Sequence, residues 1–410
     1  MLIHNIKKNI NFQPILSFII LILMLILSDR PVSANPPDDS FNPTAVNEAA
    51  MKLVQFCADP KVGLDERAVA TLVDYVLSSK QNKEHALPKS LGSTGAYYEF
   101  DAKITFPLFV EYSQNPQIPP SITRPSSLRY SVWTVPQGNT QYSPELWKQA
   151  TPAGTSVIIH GMQRESDTPD LNTGVYHEYN LKRTLIRLNH KGRQVLVSVS
   201  KQIGQSDVGK KGAILGNDND WNYYYSGKTG TSIGGLGWVK SYIYDFFSIG
   251  IYTESSATPT MVRAGVFQWL RAGWTGINFV KSNHILSGME RFARNFKMIL
   301  ESPRLPAPNQ IMSVKQWLSN MPADDLIKKY ATLQQAQRSL AVRFSKISKS
   351  EGEEQAPPSN VPKKQMVEEL MLEYLKTALG KSTLLEKQSF FTIPNSLSMS
   401  RFPIEDPAGN

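Results

Sequence analysis

The sequence predicts an α+β protein: a curved antiparallel sheet gripped by a long C-terminal amphipathic helix, with helical segments on its flanks. Three observations lead there. An apolar stripe recurs at three- and four-residue steps over residues 261–301, through Val266, Phe267, Leu270, Trp274, Ile277, Ile285, Phe292, Phe296 and Ile299, with Arg263, Arg271, Lys281, Arg291 and Lys297 between them. That is the period of a helix laid on a broad apolar surface. Residues 97–253 carry short apolar-alternating runs separated by Gly, Pro and Asn, the habit of strands. Helical periodicity returns on both sides of this block.

The elements follow in chain order. Lys7 and Lys8 precede an almost unbroken apolar run over 15–27, and Val32-Ser33-Ala34 supplies small residues behind it. This is the pattern of a signal peptide, 1–34, cleaved after Ala34, and it implies export to a periplasm or beyond. A run of that length rises about 20 Å as a helix, short of a bilayer core of roughly 30 Å. Residues 35–93 form an N-terminal helical segment. It opens on a Pro/Asp/Asn-rich stretch, continues through helices over 44–57 and 64–79, and ends in a polar, lysine-bearing link over 80–93.

The main domain is expected over 94–302. It holds a strand at 97–105, a short helix at 107–113, an irregular loop enforced by Pro116, Pro119 and Pro120, and strands at 128–135 and 155–162. A hairpin pairs 184–188 with 194–200 around Asn189-His190-Lys191-Gly192, and Val195, Val197 and Val199 define one face of its return strand. Strands at 221–226 and 239–253 flank a loop rich in Gly227, Gly230, Gly234, Gly235 and Gly237. Pro303, Pro306 and Pro308 close the domain. A helical extension (309–345), a Ser/Glu/Pro/Lys linker expected to be solvated (346–363), a short amphipathic helix (364–380) and a disordered tail (381–410) complete the chain.

Charge and cysteine usage narrow the chemistry. The leader carries a net of +2, leaving +7 of the chain's total +9 on the mature protein. Such an excess suits an anionic surface, a membrane included, but the charges are scattered and do not form a nucleic-acid footprint. Cys57 is the single cysteine and sits among Met51, Leu53, Val54 and Phe56, so a buried thiol is expected and intramolecular disulfides are excluded.

Several motifs invite a catalytic or metal reading. Lys228-Thr229-Gly230 resembles one signature of the serine penicillin-binding proteins, which also need a Ser-x-x-Lys tetrad opening a helix. The available tetrad, Ser198-Val199-Ser200-Lys201, ends a strand, and thirty residues are too few for the subdomain that should follow. Gly204 to Lys210 has phosphate-loop spacing, but Lys211 replaces the Mg²⁺-binding hydroxyl. Asn217-Asp218-Asn219-Asp220 lacks the glycine and glutamate of a calcium loop and reads as a turn held by Asx side chains. His160, His177, His190 and His284 lack ligand spacing, and His284, on the apolar stripe, is expected in the core. No catalytic residue, cofactor or metal site is therefore expected.

The segment Phe106-Pro107-Leu108-Phe109-Val110-Glu111-Tyr112 with Asn115-Pro116, followed by antiparallel strands and a long helix, resembles the START-like helix-grip superfamily over about half the chain. The resemblance implies a cavity between sheet and helix for a lipid or other apolar molecule. Aromatics crowd the strands before the helix, and Tyr225, Tyr244, Phe267, Leu270, Trp274 and Ile277 are the expected wall residues. The expected role is a non-catalytic exported envelope protein that binds or carries a hydrophobic, lipid-like ligand. An interaction or scaffold protein is the alternative, and a serine hydrolase using Ser198 or Lys228 is the less favoured third.

Overall fold

A two-sided antiparallel sheet organises the chain. The structure is a computed structural model and describes residues 43–78, 83–134, 150–233, 237–255, 260–347 and 355–385. The expected signal peptide, residues 35–42, Gly234, Gly235 and the tail beyond 385 lie outside the described residues. Helices α1 (Pro43–Ala58) and α2 (Glu66–Ser78) come first. Strands β1 (Glu84–Ser90) and β2 (Ser93–Ala102), helices α3 (Phe106–Gln114) and α4 (Pro120–Thr123), and strands β3 (Leu128–Thr134) and β4 (Ser156–Asp167) follow. Next are β5 (Val175–Tyr176), β6 (Glu178–His190), β7 (Arg193–Gln202), β8 (Lys210–Ile214), β9 (Tyr223–Thr229), β10 (Thr231–Ile233), β11 (Gly237–Val239), β12 (Tyr242–Glu254) and β13 (Val262–Gly273). Helices α5 (Ser282–Leu300), α6 (Pro308–Asn320), α7 (Ala323–Arg343) and α8 (Lys363–Ala378) complete the order.

Eight strands form one strongly curled antiparallel sheet in the order β1-β2-β13-β12-β7-β6-β4-β3. The α+β class and curved sheet expected from sequence are thus present. The β6–β7 hairpin turns through Lys191 and Gly192, both at positive φ (51° and 82°), the backbone that matches the twist of the flanking strands. Two smaller sheets, β5-β8-β9 and β10-β11, sit beside the main one.

Three expectations need correction. Residues 261–301 are not one helix: the first third is strand β13, the stripe crosses a loop, and only α5 is helical. The reason is that β13 is covered on both faces. Phe267 and Trp269 pack under the N-terminal helices, while Ala264 and Val266 face the other side, so apolar residues occupy both phases of the strand and imitate a helical stripe. Second, the polar link over 80–93 contains β1, an edge strand whose Lys89 and Pro88 suit an unpaired rim and hide the alternation. Third, α8 is no detached amphipathic helix. It is buried nearly all round, including Glu368, Glu369, Glu373 and Lys376, and its described approach contains a 3-10 turn at Pro358–Asn360 and buries Val361.

The sheet's two faces differ in chemistry. One carries Val195, Val197, Val199, Phe247, Ile249, Ile251, Phe267 and Trp269 and is sealed by Leu53, Val54, Leu72, Val73 and Val76 of α1 and α2. Each such side chain contributes about 1.5–3 kcal/mol on burial. Cys57 lies here as expected, its thiol directed at the carbonyls of Lys182 and Val199, and burial pushes its pKa up. The opposite face packs against α5 through Ala96, Ile285, Leu286 and Met289, and against α3 and α5 through Phe100, Phe109 and Phe296.

Gly265 on β13 lets α2 approach the sheet: a Cβ there would stand 2.8 Å from the Tyr97 hydroxyl and closer still to Val76. Gly265→Val should destabilise the protein by about 1–3 kcal/mol through overpacking. Adding Val76→Ala should recover part of that loss. Urea unfolding of the single and double variants measures both; unfolding of Gly265→Val at the wild-type midpoint would rule out this packing.

Candidate functional site

The face of the sheet turned away from α1 and α2 is floored by small and polar side chains. From β7 come Ser198 and Ser200, from β12 Ser248 and Gly250, from β13 Gln268, and from β4 Gln163. They are the alternate residues of the strands whose other side carries Val197, Val199, Ile249 and Phe267, because successive side chains of a strand point to opposite faces. Small residues on a curled sheet leave volume. A cleft of about 960 Å³ opens above them.

Its walls are mainly apolar. Phe109 of α3, Met289, Phe292 and Phe296 of α5, and Leu185, Phe246, Tyr252 and Val266 of the sheet line one part. Gly288 of α5 also lines it, and a Cβ there would meet nothing within 4 Å. The remaining boundary is the proline-bearing segment after α3, with Ile118, Pro119 and Pro120, together with the first turns of α8 and Lys315 of α6.

A polar corner completes the lining. Arg183 on β6 donates to Gln163 Oε1 (2.8 Å), Ser198 Oγ (3.2 Å) and Glu165 Oε1 (3.1 Å), so its guanidinium is well matched. Ser131 joins this group, its hydroxyl donating to Glu165 Oε1 at 3.1 Å and its backbone N–H to Glu368 Oε2 at 3.2 Å. Ser121 also donates to Glu368 Oε2, at 3.2 Å. Glu368 nonetheless has its pKa pushed up to about 7: burial raises it, and the hydrogen bond from Ser131, the charge of Lys315 and the Ser121 bond offset only part of this. Arg291 is tied to Asp218 (Nε to Oδ2, 2.8 Å) and to the Tyr223 hydroxyl (3.2 Å). Arg124 differs from both arginines: among the described residues its guanidinium makes no hydrogen bond or ion pair. Burial and then the neighbouring Arg183 lower its pKa, with Glu165 acting the other way.

None of the six wall residues expected from sequence lines this cleft. Tyr225 is buried in the β5-β8-β9 sheet, its ring under the Arg129 guanidinium at 3.8 Å. Phe267 faces α2, 4.4 Å from the Tyr97 ring centre. Leu270 stands on the cleft side of β13 but packs among Ile285, Leu286 and Met289. Tyr244 accepts a hydrogen bond from Gly276 N–H at 2.8 Å, and Trp274 stacks on Phe279 at 4.0 Å, both in or beside the loop joining β13 to α5. Ile277 is 55 % exposed at the tip of that loop. Phe267, Leu270, Trp274 and Ile277 rest on a helical period that the strand β13 does not obey, and Tyr225 and Tyr244 on the crowding of aromatics in the strands before it. What sequence reasoning missed is the second phase of β7: Val195, Val197 and Val199 marked the core face, and Ser198 and Ser200 between them marked the open one.

The catalytic candidates do not assemble. Ser198 and Lys201 stand on opposite faces of β7, Ser198 toward Arg183 and Lys201 toward Asp245 and the Phe247 ring. Lys228 lies on the separate β9 strand with its ammonium over Trp238. Asp167, His177 and Ser241 line up in the order of a hydrolytic triad, but at 3.7 Å and 3.4 Å neither link has the geometry of a strong hydrogen bond. Gly209 closes one approach: a Cβ on it would be 2.6 Å from Ser241 Oγ and 2.7 Å from His177 Nε2. Among the described residues no group of three or more His, Cys, Asp and Glu side chains is arranged to hold a metal. The loop 217–220 is the expected Asx turn, with Asn217 Oδ1 accepting from Asn219 N–H. His284 is exposed and caps α5 by accepting from Lys281 N–H, so it is not the core histidine expected. Comparison with known protein families, with curated proteins and with solved structures finds no match.

Glu368 yields a signed pH dependence. Its native pKa lies above the ordinary carboxyl value, so the native state holds a proton that the unfolded chain releases between about pH 4.5 and 7. This group's contribution to stability therefore falls as pH rises through that window, by on the order of 3 kcal/mol. Glu368→Gln should match the wild type near pH 4.5 and exceed it in melting temperature at pH 8. Parallel melting profiles from pH 4.5 to 8 would show that Glu368 does not titrate in the folded protein.

Proposed function

We infer that this chain is a non-catalytic binder of a hydrophobic, lipid-like ligand, exported to the cell envelope and holding its ligand in the cleft over β7, β12 and β13. The supporting observation is the cleft itself: about 960 Å³, with aromatic and aliphatic walls over a floor of small and polar side chains and a polar corner at one side. Sites that take small apolar molecules have this size and this mixture. Export rests on the leader pattern at 1–34, and a START-like relationship, resting on element order, belongs to the same reading.

A scaffold or docking role is the second reading, favoured by one observation. The loop between β13 and α5 exposes Ile277 (55 %) and Phe279 (42 %) beside Arg271 and Lys281, a basic-aromatic tip suited to an anionic membrane surface or a partner. Among the described residues no helix is long and apolar enough to cross a membrane.

Native mass spectrometry and solvent extraction of the purified chain should reveal a co-purifying apolar molecule. Ser248→Phe places a ring on the cleft floor and should weaken binding of an added twelve-carbon alcohol by about tenfold, which is 1.4 kcal/mol, with little change in melting temperature. Absence of any bound molecule together with no measurable alcohol binding would overturn the ligand reading and leave the docking role.

A further inference from the structure

We propose that the ligand is an amphiphile with an anionic oxygen head, held by Arg124 and Ser126 in the polar corner of the cleft. This rests on the ligand-binding reading above and adds the chemistry of the head.

The argument starts from unmatched donors. Arg124 and Ser126 both line the cleft, on the short segment between α4 and β3. That segment is pinned by backbone bonds from Arg124 N–H to Pro120 O (3.1 Å) and from Leu128 N–H to Arg124 O (2.9 Å). The other arginines in or beside the cleft have partners: Arg183 has Glu165 and Gln163, Arg291 has Asp218, and Arg129 has Glu369 at 2.8 Å. Arg124 has neither hydrogen bond nor ion pair among the described residues. The Ser126 hydroxyl is likewise unpartnered although the residue is only 1 % exposed. Leaving a half-buried guanidinium and a buried hydroxyl unmatched in the cleft costs free energy, and an oxyanion seated between them removes that cost.

Electrostatics choose the sign. Glu165, the carboxylate whose charge acts on Arg124, is already shared by Arg183 and Ser131. Glu368, whose pKa burial lifts to about 7, offers little negative charge below neutrality. At the rim, Lys363 and Lys364 are exposed and Lys315 stands behind them, so an anion approaches through a positive mouth. A guanidinium binds carboxylate and phosphate in two-point fashion, and both heads satisfy this geometry. Tyr252 and Tyr179, near enough to Arg124 to act on its charge, begin the apolar wall on which the tail would lie.

The test uses the full mature chain and four twelve-carbon probes: dodecanoate, dodecyl phosphate, dodecanol and dodecyltrimethylammonium, each by calorimetric titration. The expected result is that the anions bind at least about tenfold tighter than dodecanol, and the cation weakest. Whichever anion binds tighter identifies the head as carboxylate or phosphate. Arg124→Gln should abolish the preference, bringing the anions to within about twofold of dodecanol while dodecanol itself is unchanged. Arg124→Lys, which keeps the charge but loses the two-point geometry, should retain part of it. Because Arg124 has no side-chain partner among the described residues, Arg124→Gln should melt no lower than the wild type. Equal binding of dodecanol and both anions by the wild type would overturn the anionic head while leaving the hydrophobic ligand intact. Binding of none of the probes would overturn both.

Discussion

The structure depends on one constraint: a curled antiparallel sheet must dispose of two faces, and this sequence gives them opposite chemistry. Along β7 and β12, branched and aromatic residues occupy one phase and Ser or Gly much of the other. The apolar phase recruits α1 and α2 and supplies the larger share of burial on that side. The small phase cannot fill the space beneath α3 and α5, and the cleft is what is left. Cleft and core are therefore two consequences of the same alternation.

A second layer concerns charge. Helix α8 would be a conventional surface helix by composition, yet its carboxylates are buried and each meets a partner. Glu369 accepts from Arg129 on β3 and from the Tyr330 hydroxyl, Glu373 pairs with the fully buried Lys376, and Glu368 accepts from Ser121 and Ser131. Of these, the bonds from Arg129 and Ser131 tie α8 to the last strand of the sheet, and the Tyr330 hydroxyl ties α7 to α8. A buried ion pair is weak evidence of net stability, but losing one member leaves an uncompensated charge, so such pairs hold register firmly. Through them α8 becomes a wall of the cleft and brings Lys363 and Lys364 to its mouth.

The same geometry keeps the catalytic candidates named from sequence apart. A hydrolase needs a nucleophile, a base and a position for the reacting atom in one cleft. Here Ser198 faces the cleft without a lysine beside it, and Ser241 and His177 meet under the backbone of Gly209, away from the cleft lining. What converges on the cleft is an apolar wall, a polar floor and, among the described residues, unmatched groups that include the Arg124 guanidinium and the Ser126 hydroxyl. That set fits the ligand proposed above.

Local pattern by itself determined the α+β class, the two N-terminal helices, the short helix at Phe106–Gln114, the β6–β7 hairpin with its glycine turn, and the burial of Cys57, because each rests on periodicity or turn chemistry within a few residues. It was ambiguous wherever a strand is covered on both faces or lies at the sheet edge. β13 imitated a helix because both its phases are apolar, and the edge strand β1 imitated a loop because Pro88 and Lys89 interrupt the phase that packs Leu87 on the core. Only tertiary structure decided which of the many aromatics bound a cavity, since that depends on which phase of a strand faces the open side. Tyr225 and Phe267 ended in closed cores, and Ile277 in solvent. Only tertiary structure left Arg124 without a partner among the described residues, because an unmatched charge is a property of everything around it and of no residue's neighbours in the chain.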